Sequence, residues 1–187
     1  MKNQRGFSLL EIMVTLSVTA IVGGMATAQM GPTRRSLQGD GAMRLVMTQL
    51  NTAREMAITQ RRNMELQFVG GNWIRIVRHE APGIATTVLV SVALESGEQF
   101  ALATGVPDTP EAYGNLNPVA FGAAQTIMFS TDGTLIDENG NPLNGTVFLT
   151  IPNVPQSVRA VAVLGATGRV RGYKWTVNAN GQGWVRV

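Results

Sequence analysis

Hydrophobic and polar positions divide the chain into three successive patterns, and the first is a long apolar run. Residues 7–30 are almost uniformly apolar, and Glu11 is the one charged side chain among them. As a helix this run would be about 36 Å long, enough to cross a hydrocarbon core of about 30 Å. A charge inside such a segment costs about 2.5–3.5 kcal/mol at the helix centre, so the pattern predicts a cationic partner for Glu11.

The second pattern is that of an amphipathic helix. Apolar residues recur there at three- and four-residue steps, which draws one apolar stripe along the helix. The stripe consists of Met43, Val46, Met47, Leu50, Ala53 and Ala57. The spacing predicts a helix over 42–62. Gly39 and Gly41 are expected to loosen or interrupt the chain before it, with Asp40 between them as a candidate N-cap.

The third pattern has the period of two that is typical of strands. Residues 64–69 and 73–78 alternate on either side of a glycine-rich turn, which predicts a β-hairpin. Further strands are expected at 87–94, 126–129, 146–151, 158–164, 169–177 and 184–187. Residues 104–120 contain three prolines and two glycines and are expected to form a surface loop. The predicted fold class is α+β, with a long N-terminal membrane-anchoring helix packed on an antiparallel β-sheet or small β-sandwich.

Composition and charge narrow the choice of chemistry. The chain has 187 residues, no cysteine and a net charge of +3, so disulfides and thiolate metal sites are excluded. Between His79 and Glu138 there are eight acidic side chains and no Lys or Arg, whereas residues 139–187 have five basic side chains and no carboxylate side chain. This asymmetry is suited either to docking one copy on another or to binding an anion.

Catalytic and metal-binding patterns are weak. His79 is the single histidine and follows a predicted strand, so we expect a solvated or hydrogen-bonded turn residue, not a catalytic base. Asp137, Asn139 and Asn141 alternate as calcium ligands do, but Pro142 stands where the calcium loop needs glycine. A plain turn is the favoured interpretation. We therefore expect no enzyme activity, no metal and no cofactor.

The N-terminus is compatible with two processing schemes. Lys2 and Arg5 precede the apolar residues 12–25, and residues 26–28 form a small-x-small site, which is the pattern of an ordinary secretory signal cut after Ala28. That scheme would release a soluble secreted domain.

The local sequence favours a different scheme. Gly6-Phe7-Ser8-Leu9-Leu10-Glu11 resembles the class III signal of type IV prepilins and type II secretion pseudopilins. The resemblance implies that a prepilin peptidase cuts after Gly6 and methylates Phe7. It also implies that Glu11 pairs with the N-terminal amine of a neighbouring subunit during assembly. The chain departs from many pilins in one respect, because its first proline is Pro32 and none lies within the apolar helix.

Two later motifs resemble one branch of that family. Leu50-x-x-Ala53-Arg54-x-x-Ala57-Ile58, followed by Arg61-Arg62-x-Met64-x-Leu66 and Trp73, resembles the helix-to-strand junction of GspH/FimT minor pilins and pseudopilins. Phe129-x-x-x-Gly133 resembles a hairpin of the same branch.

The resemblance implies a division of the chain and a role for it. The segments would be a leader peptide (1–6), a transmembrane and assembly helix (7–30), an amphipathic helix (31–62) and a β-rich domain (63–187). The role would be that of a non-enzymatic subunit of a type II secretion pseudopilus or a type IV pilus. The protein would be anchored in the inner membrane with its domain in the periplasm. Its partners would be other pilin-like subunits and the prepilin peptidase.

The C-terminal region carries an alternative function. Gly168-Arg169-Val170-Arg171 resembles a motif with which FimT-like minor pilins bind DNA during uptake. Alternation along the predicted strand would place Arg169 and Arg171 on one face and Lys174 on the other. These three cations are the candidate contacts to duplex DNA. A solvated face, or a contact with the next subunit, is the competing interpretation.

Overall fold

The first 35 residues and the remainder of the chain form two units. The computed structural model describes residues 8–80, 83–178 and 181–187. A single helix, α1 (Leu9–Gln60), contributes residues to both units. In the first unit, Leu9–Ala26 has a mean hydropathy of 1.9 and none of it is buried, so by length and composition this part of the helix can cross a membrane. The expected apolar helix is therefore confirmed.

The polar side chains of the apolar part of α1 bond to their own helix. Thr15, Ser17 and Thr19 each bond to the carbonyl four residues earlier, at oxygen–oxygen distances of 3.0, 2.8 and 2.7 Å. Hydroxyls that are satisfied in this way carry little penalty in an apolar medium. The small polar residues are thus compatible with a membrane segment.

In the second unit, α1 continues through the glycines at which an interruption was expected, so that prediction is wrong. Gly39 serves close packing instead: a Cβ atom there would lie 2.5 Å from the Ser157 carbonyl oxygen. Asp40 is not an N-cap either, because it lies within the helix and its carboxylate is 2.7 Å from Arg159 Nε. Glycine costs a helix about 1 kcal/mol, and here it allows another backbone to approach.

The amphipathic stripe of α1 is confirmed. Its fully buried members, each at most 1% exposed, are Met43, Val46, Leu50, Ala53 and Ala57. They form one hydrophobic core with inward-facing side chains of two antiparallel sheets, including Leu66, Phe129, Val147 and Val161. The helix is therefore held by burial of one apolar face, as the spacing predicted.

The first sheet has five strands in the order β3-β2-β1-β6-β7. Their bounds are β1 Met64–Val69, β2 Trp73–His79, β3 Thr86–Ala93, β6 Ile127–Phe129 and β7 Leu135–Ile136. The predicted hairpin is confirmed, since β1 and β2 pair from Met64↔Arg78 to Val69↔Trp73.

The second sheet has the order β11-β10-β9-β8-β4, and β5 also pairs with β8. Its strands are β4 Gln99–Phe100, β5 Val119–Ala120, β8 Gly145–Thr150, β9 Arg159–Leu164, β10 Arg169–Asn178 and β11 Gly181–Arg186. Short 3-10 helices at Pro155–Ser157 and Gly165–Thr167 flank β9. The fold is α+β, as predicted, and its strands form two antiparallel sheets.

A proline-rich segment, residues 101–118, leaves the second sheet after β4 and returns as β5; we call it the strap. It covers part of the sheet face that is turned away from α1. Tyr113 packs there on a cluster formed by Phe148, Ala160, Ala162 and Tyr173. Trp184 Nε1 donates to the Pro107 carbonyl at 3.0 Å. The strap, which corresponds to most of the predicted surface loop, is thus packed against the sheet and hydrogen-bonded to it.

Candidate functional site

The processing residues and the carboxylate of the apolar helix stand at its beginning. Gly6 and Phe7 lie outside the described residues. Glu11 lies in the first turn of α1, and its side chain is exposed. No ion pair joins Glu11 to any other residue in the part of the chain that the structure describes. The rival cleavage site, residues 26–28, lies within α1, so the helix alone does not separate the two processing schemes.

Strand β10 presents Arg169 and Arg171 to different surroundings. Arg169 is exposed. Arg171 Nη1 donates to Glu111 Oε1 of the strap at 2.8 Å, and the Tyr173 hydroxyl donates to the same oxygen. Although burial opposes ionisation of Glu111, the hydrogen bonds from Tyr173 and Arg171 keep the pKa of this carboxyl below its usual range. Arg171 is therefore already paired with a carboxylate of the same chain.

The third candidate DNA contact lies on the opposite face of β10, as the alternation predicted. Lys174 Nζ donates to Ser36 Oγ at 2.9 Å and lies 4.0 Å from Asp40 Oδ2. Gly172, which shares this face, is so close to α1 that a Cβ atom would lie 2.9 Å from the Met43 sulfur. The structure thus divides the three candidate cations between two faces of one strand.

A buried charge network, which the sequence analysis missed, joins α1 to β9. Arg159 is fully buried, and its Nε is 2.7 Å from Asp40 Oδ1. Its Nη2 donates to the carbonyl and hydroxyl oxygens of Ser36, and its Nη1 donates to the carbonyls of Gln156 and Val158. All five guanidinium N–H groups thus have acceptors. The one signal in the sequence was a lone arginine inside an otherwise apolar strand.

Glu98 interacts electrostatically with Arg159 of this network. Its side chain is 1% exposed, and neither carboxylate oxygen has a hydrogen-bond partner. Burial raises the pKa of Glu98 to about 7, although the positive charge of Arg159 acts in the opposite direction. All N–H groups of Arg159 are donated to other acceptors, so Glu98 receives no hydrogen bond from it. The charge of Arg159 alone does not offset the effect of burial on the pKa of Glu98.

Three motif residues that are far apart in sequence meet at one contact. Arg54 Nε donates to the Gly133 carbonyl at 3.1 Å. Gly168 has a φ of 62°, and a Cβ atom there would lie 2.3 Å from the same carbonyl oxygen. The glycine of the Gly-Arg-x-Arg motif is therefore required by the turn and by its contact with Arg54 and Gly133.

The remaining candidates have structural partners. His79 Nε2 lies 2.7 Å from Glu65 Oε2 at the end of β2. Asp137 Oδ1 accepts the backbone N–H groups of Asn139 and Asn141 at 2.9 and 2.8 Å, which is the geometry of a turn. Among the described residues, no three His, Cys, Asp or Glu side chains are grouped so that they could hold a metal ion.

Comparison with protein families favours the prepilin scheme. Residues 1–27 match the prokaryotic N-terminal methylation motif. Residues 42–183, which include the amphipathic stripe and nearly all of both sheets, match the type II transport protein GspH. The chain belongs to the GspH family. No curated protein and no solved structure matches it significantly.

Membership of the GspH family confirms the resemblance found in the sequence. The family is structural and non-enzymatic, and it supports a minor pilin role in type II secretion or in a pilus. The methylation motif implies processing by the prepilin peptidase and, together with the apolar helix, anchoring in the inner membrane.

Proposed function

We propose that this GspH-family protein is a minor pseudopilin or pilin that assembles with other pilin-like subunits through residues 7–30. The prepilin peptidase cuts after Gly6 and methylates Phe7, and the domain stands in the periplasm. The role is in protein secretion or pilus biogenesis. The observation that carries the proposal is the methylation motif at the start of a helix whose apolar part, Leu9–Ala26, is not buried by its own unit.

In this proposal Glu11 determines the register between subunits. An isolated carboxylate in an apolar surrounding is costly, whereas one paired with an amine is not. Glu11 has no ion pair within the described part of the chain, which leaves it available for the N-terminal amine of a neighbouring subunit. The carboxylate would therefore favour one alignment of adjacent helices over others.

Mass spectrometry of the mature protein from its native host tests the processing. We expect a chain that begins at methylated Phe7. A chain that begins at Gln29 would overturn the proposal and indicate a soluble secreted domain. The Glu11→Gln variant should still be cut after Gly6 but should no longer be recovered with filaments. Normal incorporation of this variant would contradict the role of Glu11.

DNA uptake remains the alternative use of this domain. Arg169 is exposed on β10 and could contact a phosphate without rearrangement. Arg171 would first have to leave Glu111, and Lys174 faces the other way, toward Ser36. For this reason we place DNA binding second to assembly.

A further inference from the structure

Two adjoining cavities lie at the end of the second sheet where β10 meets the β8–β9 connection. Their volumes are about 550 and 430 Å³, and they share Pro155, Trp175 and Val177. We call the two together the β10 cleft. The combined space is of the size that accommodates a ligand.

The larger part of the cleft is uncharged, and its lining combines apolar side chains with polar ones such as Thr150 and Asn153. Its floor is formed by Val158, Trp175 and Val177, and residues 101–106 at the beginning of the strap form one wall. Val177 is 61% exposed, so the apolar floor continues to the surface. Leu102 in the wall is 37% exposed as well, so a ligand with an apolar body would find accessible apolar side chains on two sides of this cavity.

The smaller part of the cleft supplies one positive charge. Of the described residues that line the two cavities, Lys174 alone carries a charge, and its side chain is 33% exposed. Asp40 is near, but its Oδ1 is 2.7 Å from Arg159 Nε, whereas Lys174 is 4.0 Å from its Oδ2. Arg159 is thus the nearer partner of the carboxylate, and the ammonium of Lys174, which donates one N–H group to Ser36 Oγ, has further N–H groups for an anion. The cleft is complementary to a molecule with an anionic head and an apolar tail.

The position of the cleft along the chain indicates where such a molecule comes from. Ser36, which lines the smaller cavity, follows Ala26 by ten residues. Ten residues span at most about 35 Å in any conformation. Because Leu9–Ala26 is suited to a membrane, this short connection limits how far the cleft can move from lipid headgroups and raises their effective concentration.

We propose that the β10 cleft binds an anionic phospholipid, with the headgroup phosphate at Lys174 and an acyl chain against Trp175 and Val177. The lipid would hold the domain next to the membrane before the subunit enters a filament. This proposal rests on the membrane anchoring of the proposed function but not on filament assembly. A lipid that leaves the cleft would release the domain from the membrane surface.

The composition of the chain offers a direct measurement. Lys2 and Lys174 are its two lysines, so acetylation by an amine reagent reports on Lys174 in a single tryptic region. The full chain is placed in nanodiscs of phosphatidylcholine, either alone or mixed with phosphatidylglycerol, and acetylation is followed by mass spectrometry. We expect acetylation of Lys174 to be about five-fold slower with the anionic lipid.

A matched variant and a soluble anion separate lipid binding from simpler effects. Val177→Asp keeps Lys174 but places a charge on the exposed apolar floor, so protection by phosphatidylglycerol should be lost. Inorganic phosphate added to phosphatidylcholine nanodiscs should give no protection.

Three results would overturn the proposal: no protection in the wild type, equal protection in Val177→Asp, or equal protection by inorganic phosphate. Recovery of the chain with the nanodiscs is measured in the same samples. Failure of anchoring would thus be distinguished from failure of the cleft.

Discussion

Leu9–Ala26 and residues 43–57 belong to the same helix, yet they present their apolar side chains to opposite surroundings. In the first stretch nothing is buried, and large side chains such as Leu16 are 65% exposed. In the second, Val46, Leu50 and Ala53 are completely buried by the two sheets. The second stretch obtains its stabilisation within the chain, whereas the first must obtain it from a membrane or from other subunits.

Two carboxylates of the same helix differ in the same way. Glu11 has no ion pair in the described part of the chain, whereas Asp40 is bound by the fully buried Arg159. A buried charge with a complete set of partners is tolerated, and a buried charge without them is not. The comparison therefore separates a region built for self-sufficient folding from one built for association.

The largest effect on the folded domain should come from Arg159→Met. The substitution leaves Asp40 and Ser36 without their buried donor, and we expect a loss of about 3–5 kcal/mol in the free energy of unfolding. Urea denaturation of the full chain in nonionic detergent, followed by tryptophan fluorescence, measures it, because all three tryptophans belong to the second unit. The matched control is Arg169→Met, which alters an exposed arginine and should change stability by less than about 0.5 kcal/mol. Equal losses in both variants would show that the network does not stabilise the fold.

A pair of leucine substitutions tests the contrast within α1. Leu50→Ala opens a cavity in the core and should cost about 2–5 kcal/mol in the same denaturation experiment. Leu16→Ala removes an equal amount of side chain from the apolar stretch and should leave the unfolding of the second unit unchanged. If Leu16→Ala lowered that stability as much as Leu50→Ala does, the two stretches would not be energetically distinct.

A pH titration probes the buried carboxyl of Glu98, which lacks a hydrogen bond. Since the pKa of Glu98 rises from 4.5 to about 7 on folding, the folded state keeps a proton that the unfolded chain has released. The contribution of Glu98 to the free energy of unfolding is greatest below pH 4.5 and should fall by about 3 kcal/mol as the pH rises to 7. The measurement is the difference in the free energy of unfolding between the wild type and Glu98→Gln at each pH. The contributions of the other titrating groups cancel in this difference. Glu98→Gln should become the more stable protein above pH 7, and parallel curves for the two proteins would contradict the assignment.

Periodicity predicted the elements that are long enough to show it. The β1–β2 hairpin and the stripe from Met43 to Ala57 are confirmed because each has several consecutive positions with one period. The opposite orientations of Arg171 and Lys174 on β10 followed from the same rule. Strands β4, β5 and β7 have two residues each, too few for any period to appear.

Contacts between distant parts of the sequence could not be predicted in this way. Gly39 looked like a helix breaker because its close contact with Ser157 depends on the tertiary structure. Asp40 and Arg159 pair although they lie 119 positions apart in the sequence, and no local pattern predicts this pair. The contact between Glu111 and Arg171 likewise depends on how Tyr113 and Pro107 of the strap pack against the sheet, which no local pattern shows.

The meeting of Arg54, Gly133 and Gly168 has a consequence for how this domain can change over time. A larger residue at Gly168 collides with the Gly133 carbonyl and Arg54, and one at Gly133 collides with the side chains of Ile58 and Arg54. Both glycines also have a positive φ, so a shorter side chain at position 54 would not make a larger residue acceptable at either of them, and both glycines should be retained across relatives. Residues from three separate sequence motifs thus form one contact in the folded domain, so a change in one motif is constrained by the other two.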